Sequence, residues 1–178
     1  MEANLNPIFD EFLGELVRHR VRFLVVGAYA VALHGKPRAT RDIDIWVEPS
    51  AENAARVVSA LTAFGYPAYA SVTVQFETLE RMIQLGVPPN QIDVMTSVSG
   101  VAFADAWKRR VTVDVSGKPI AFLSLVDLRV NKRASGRPKD LFDLALLDEL
   151  PTVAKKPARK PKAVAPLAKT TPKKKARR

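Results

Sequence analysis

The chemistry of this chain is concentrated in three aspartates set among aliphatic residues. Asp42 and Asp44 alternate with Ile43 and Ile45 in "RDIDIWVE", and Asp93 sits between Ile92 and Val94 in "QIDVMTSV". On a strand, residues two apart share a face, with Cα atoms roughly 6.6 Å apart. Asp42 and Asp44 therefore present adjacent carboxylates, while Ile43, Ile45 and Val47 go to the other side. Carboxylates that close repel one another and favour protonation. A divalent cation reverses that preference, because its charge stabilises both ionised groups. Oxygen-only donors suit Mg²⁺ or Mn²⁺. Carboxylates from neighbouring strands could hold two metals about 3.5–4 Å apart, as two-metal phosphoryl transfer requires. One metal would take triphosphate oxygens; the other would lower the pKa of an attacking hydroxyl, with Asp93 as ligand or base on that side. The competing reading is a half-exposed strand with its polar residues on the wet face, and D-x-D spacing alone does not separate the two.

The segment before the pair tilts the balance toward a ligand. "RFLVVG" reads as a buried strand ending at Gly27, and "AYAVALHG" follows as a short helix with Gly35 as its stop signal. Gly27 permits close backbone approach to a phosphate, and the following helix offers N–H groups at its positive end. A basic loop with Lys36, Arg38 and Arg41 then delivers the carboxylates.

The elements that must position these residues alternate early and change character later. Ile8, Phe9, Phe12, Leu13, Leu16 and Val17 recur at helical spacing over 5–19. Asp42 to Glu48 is a strand; Ser50 caps a helix whose buried stripe is Ala54, Val57, Val58, Leu61 and Phe64, closed by Gly65. A short helix is expected around Phe76 to Glu80, and "RMIQLGVPPNQIDVMTSV" reads as two strands joined by "VPPN". Residues 102–108 suit one or two helical turns, and "RVTVDVSGKPIAFL" a hairpin around Ser116-Gly117. Ser124 and Asp127 resemble a capping box opening a helix to about Ala134. Gly136 breaks it, and Pro138 opens a last helix that runs to Pro151. The fold class is α+β (mixed α/β): a mixed sheet flanked by helices, a C-terminal helical pair and a basic tail.

Composition divides the chain at residue 150. The formal charge of +10 comes from 28 basic and 18 acidic residues, but 151–178 holds 11 of the basic ones and none of the acidic. The body, 1–150, is thus near neutral and forms one domain. The tail "PTVAKKPARKPKAVAPLAKTTPKKKARR" has too few large apolar residues to offset ordering entropy and reads as disordered. There is no cysteine, so disulfides and cysteine-based zinc sites are excluded. No run suits a membrane span, the acidic start lacks a secretory leader pattern, and a cytoplasmic setting is the simplest expectation.

"VVGAYAVALHGKPRATRDIDIWV" resembles the first motif of the nucleotidyltransferase superfamily that includes polymerase β-like and minimal nucleotidyltransferases. That motif is an apolar strand, Gly-Gly or Gly-Ser, a spacer, then Asp-x-Asp or Asp-x-Glu, with a third acidic residue on a later strand, where Asp93 lies. The "HG", "R-x-T" and "DID" variant is similar to bacterial nucleotidyltransferases that include toxins of type IV toxin–antitoxin systems, and "NKRASGRPKDLFDLALL" resembles their C-terminal helical segment. The resemblance covers about residues 20–150. It implies transfer of a nucleoside monophosphate from an NTP to a hydroxyl on RNA, protein or a small molecule, with Mg²⁺ and release of pyrophosphate. By position, Asp42, Asp44 and Asp93 would be catalytic and metal-binding, and Gly27, Ala28, Arg38, Thr40 and Lys132 nucleotide-binding. Ala28 departs from the motif's usual Gly or Ser, removing a hydroxyl from the phosphate side and leaving the backbone N–H.

Other residues have plainer readings. Arg41 is expected to point away, His34 to pack or cap, His19 to lie at the surface, and Trp46 to belong to the core or cover the aspartate face. Lys139 and Asp143, one turn apart, read as a simple ion pair beside Asp140. The tail could attract RNA or DNA through phosphate neutralisation, though no aromatics interleave its charges for base stacking. An antitoxin-like protein is a further expected partner. The alternatives to an enzyme are a non-catalytic nucleotide- or partner-binding member of the same fold, motivated by Ala28, and a nucleic-acid-binding protein acting through its tail.

Overall fold

The computed structural model describes residues 5–36 and 39–150. The expectations placed on Arg38 and on the tail fall outside these residues. Six strands form one mixed sheet in the order β3-β4-β2-β1-β6-β5: β1 is Phe23–Val25, β2 Asp42–Val47, β3 Met82–Leu85, β4 Gln91–Met95, β5 Val111–Val115 and β6 Lys118–Phe122. The inner pairs β2–β4 and β1–β6 run parallel, while β1–β2, β3–β4 and β5–β6 are antiparallel. Around them lie α1 (Pro7–Arg18), α2 (Gly27–Leu33), α3 (Ala51–Ala63), α4 (Phe103–Arg109), α5 (Leu125–Ser135) and α6 (Pro138–Asp148). The α+β class holds.

Local chemistry explains most boundaries. The Asn6 side chain accepts from Ile8 N at the start of α1, and Ser50 accepts from Asn53 N to cap α3. Ser124 caps α5 by accepting from Asp127 N, and donates in turn to Asp127 Oδ2 at 2.6 Å. Gly136 ends α5 in the left-handed region at φ 64°, and Pro138 opens α6. The β5–β6 hairpin turns at Ser116 and Gly117, with φ of 53° and 76°, at the expected place.

Two expectations need correcting. The first strand stops at Val25 rather than at Gly27, because Gly27 adopts φ 60° and starts α2. The helical turns expected around Phe76 to Glu80 instead precede Phe76, as a 3₁₀ stretch over Pro67–Phe76. Pro67 presets the first turn, Tyr66 and Tyr69 pack on one another behind Phe64, and buried Phe76 anchors the end.

The core explains which sheet face is dry. Ile43, Ile45, Ile83, Leu85, Ile92 and Val94 are all buried, while their strand neighbours Asp42, Asp44, Gln91 and Asp93 are half-buried. Period-2 alternation on β2, β3 and β4 is thus in phase, which puts every polar member on one face. Trp46 sits on that face too, yet it is core: Phe103 of α4 covers it edge-on at 5.0 Å.

Candidate active site

The site is built by strand register. Parallel pairing of β2 with β4 sets Asp44 directly opposite Asp93 and Asp42 opposite Gln91. Neighbouring strands lie about 4.8 Å apart, so three carboxylates occupy one corner of the wet face. Asp42, Asp44, Asp93, Gly27, Ala28 and Lys132 all line a single cavity of about 680 Å³. The structure therefore brings together six of the eight residues singled out from sequence. Of the others, Arg38 lies outside the described residues, and Thr40 stands behind the cavity wall, its hydroxyl donating to Asp42 Oδ1.

Each carboxylate has a different environment. Gln91 Nε2 donates to both oxygens of Asp93, at 3.0 and 3.1 Å. Asp44 is largely enclosed. Burial first, and then the Asp42 and Asp93 charges, push its carboxyl up to about 6, against the pull of Lys139 and Lys132. Asp44 also explains Gly27. A Cβ at Gly27 would lie 1.8 Å from Asp44 Oδ2, and Val26 N donates to the Asp44 carbonyl at 3.0 Å. The glycine lets the chain turn at φ 60° and leaves room for the carboxylate to press against the start of α2.

Lys132 reaches the cavity from α5, but it is buried, and its ammonium donates to Asp140 Oδ1 at 2.6 Å and meets Asp143 Oδ2 at 2.9 Å. Two of its three N–H donors are thus engaged with α6. Burial alone would raise the Asp140 carboxyl; hydrogen bonds from Lys132, Arg137 and Ser135 outweigh it and hold Asp140 at about 2. Lys132 thus meets Asp143 as well as Asp140, and exposed Lys139 lines the cavity. Arg41 is exposed, and His34 caps α2 with its Nε2 3.0 Å from the Leu123 carbonyl. His19 caps α1 and is half-buried.

Sequence reasoning misses Gln91, although it lies two residues before Asp93 and alternation puts both on one face. Ser97, Ser99 and Asn131 also line the cavity; nothing in their local pattern marks them, since they arrive from a loop and a helix.

The donor set fits a hard divalent cation. It is all oxygen, and the burial and neighbouring carboxylate charges that lift Asp44 both penalise an anion that a cation would stabilise. Among the described residues no three His, Cys, Asp or Glu side chains are drawn together as a ready metal cage. Thr40 and Gln91 instead hold the outer two carboxylates. Among those residues, too, no helix is long and apolar enough to cross a membrane.

Residues 4–149 match a family described as "Nucleotidyltransferase of unknown function (DUF6036)". No curated protein matches the chain in sequence. Two solved structures are similar at low identity. One is a provisionally named nucleotidyltransferase (TM1012) from Thermotoga maritima, 17% identical with a TM-score of 0.49, covering 79% of this chain and 88% of that one. The other is the antibiotic-resistance factor ANT(2'')-Ia, 12% identical with a TM-score of 0.48, covering 83% of this chain and 84% of that one.

Proposed function

Because the chain belongs to the DUF6036 family of nucleotidyltransferases, we propose that it moves a nucleoside monophosphate from an NTP to a hydroxyl acceptor at the Asp42–Asp44–Asp93 corner. The observation that carries this reading is the parallel register that sets Asp44 against Asp93, with Asp42 beside them in one cavity. Mg²⁺ or Mn²⁺ held by these carboxylates would neutralise triphosphate charge and lower the pKa of the attacking hydroxyl.

The chain's own residues supply the rest. Lys139, exposed on the cavity wall, offers an ammonium to the phosphates, and Lys132 adds its remaining donor. Ser97 and Ser99 can donate hydroxyls to phosphate oxygens on the same wall. Gln91 fixes the Asp93 carboxylate by donating to both its oxygens, and Thr40 holds Asp42 by donating to its Oδ1. Cavity walls on β2, β4 and α5 are rigid elements, which favours fixed approach of acceptor and phosphate.

The test is incorporation of labelled NTP into RNA, protein or small acceptors with Mg²⁺. Wild type should label an acceptor and release pyrophosphate, and an Asp42→Ala, Asp44→Ala double variant should do neither. Equal labelling by both would sink the assignment of the site. A second reading, nucleotide binding without transfer, is favoured by Ala28, which is buried and brings no hydroxyl to the phosphate side. Calorimetry showing NTP affinity with no pyrophosphate released would select it.

A further inference from the structure

A second pocket of about 580 Å³ adjoins the carboxylate corner. It shares no lining residue with the first cavity, but one of its members, Thr40, bonds directly to Asp42. Thr40 donates to the Asp42 carboxylate, and the Tyr29 hydroxyl is pushed above its ordinary range by burial first and by the Asp42 charge second. The Tyr29 ring is held edge-on against buried Phe9, with centroids 6.0 Å apart. Pro7, Ile8 and Pro89 supply exposed apolar wall, and Asn90 a half-buried amide.

The two cavities differ in kind. The first carries Lys139, Arg137 and the aspartates; among the described residues the second is lined by no charged side chain. An uncharged site is a poor host for phosphates. Flat proline and tyrosine surfaces suit a planar ring, because base stacking needs only a π-face and not a particular sequence. The amides suit the edge of such a ring, as asparagine does when it reads a base. Asn6 is committed: its Oδ1 caps α1, and its Nδ2 donates to Asn90 Oδ1 at 2.7 Å. That bond fixes the Asn90 amide and turns its Nδ2 to other partners.

From these features we propose that the second pocket binds a nucleobase beside Asp42. What the base is for rests on the transfer reading above: it belongs either to the incoming NTP or to the nucleotide acceptor. Binding itself does not depend on that reading.

The test uses the full chain with adenosine and uridine as probes, and methyl glucoside as a base-free control, in calorimetry or saturation-transfer NMR. Ile8→Arg puts a charged chain at the exposed rim, and Asn90→Leu removes the amide; thermal unfolding confirms that each variant folds. Both nucleosides should bind wild type, the glucoside should not, and each variant should weaken nucleoside binding by about tenfold or more, the scale of one lost stacking or edge contact. Parallel weakening of Mg²⁺–ATP binding identifies the base as that of the NTP. Unchanged Mg²⁺–ATP binding identifies it as that of the acceptor. Nucleosides that fail to bind wild type, bind both variants equally, or bind no better than the glucoside overturn the proposal. The Asp42→Ala, Asp44→Ala comparison addresses transfer alone, so the two ideas can fail separately.

Discussion

Replacing Asp44 by Asn tests the electrostatic account of the site without any knowledge of substrate. Burial and two neighbouring carboxylates lift Asp44 from 3.8 to about 6. The folded state therefore holds the proton more tightly than the unfolded chain does, and ionisation at neutral pH costs about 3 kcal/mol. The sign follows directly. A raised folded pKa gives stability that is complete well below about pH 4, falls as pH rises through about 6, and is gone by about pH 7. The amide of the Asp44→Asn variant cannot ionise. In urea titrations at half-unit steps from pH 4 to 8, the stability of Asp44→Asn relative to wild type should climb by about 2 kcal/mol between pH 4 and 6, gain a few tenths more by about pH 7 and then level off. Any fixed cost of the amide shifts that curve without changing its shape. Millimolar Mg²⁺ at pH 8 should raise the wild-type midpoint and leave the variant's unchanged. A stability difference that stays flat across this range would refute the idea that Asp44 sits under electrostatic stress.

Other consequences are equally direct. Gly27→Ala should cost at least about 2 kcal/mol, from the positive φ and from the clash with Asp44 Oδ2; in an Asp44→Gly background only the backbone share of about 1 kcal/mol should remain, as a double-mutant cycle in urea will show. Lys132→Met should destabilise by about 3 kcal/mol or more, since it strips a partner from two buried carboxylates, and near-neutral thermal unfolding would contradict that. Lys139→Ala should leave stability within about 0.5 kcal/mol and raise the apparent KM for NTP roughly fivefold, the order of one partly exposed charge contact.

Much of the scaffold is legible locally. The Ser50 and Ser124 caps, the Gly136 stop, Pro138 at a helix start and the Ser116-Gly117 turn each depend on a few adjacent residues, and each forms where the pattern says. The 3₁₀ stretch over 67–76 escapes that pattern because its anchors, Tyr66, Tyr69 and Phe76, act through tertiary packing against the end of α3, which has no period along the chain.

The same division runs through the site. Sequence alone determines that Asp42 and Asp44 share a face, that Asp93 interrupts a buried strand, and that a glycine stands behind them, because alternation and glycine's freedom are properties of neighbouring residues. Only the tertiary structure decides that β2 and β4 pair in parallel, setting Asp44 against Asp93. It also decides that Gly27 makes room for a carboxylate, that Lys132 is held by Asp140 and Asp143, and that Asp42 stands between two cavities of opposite character. These are facts of register and packing between distant segments, set by which faces bury together, and no stretch of the chain contains them.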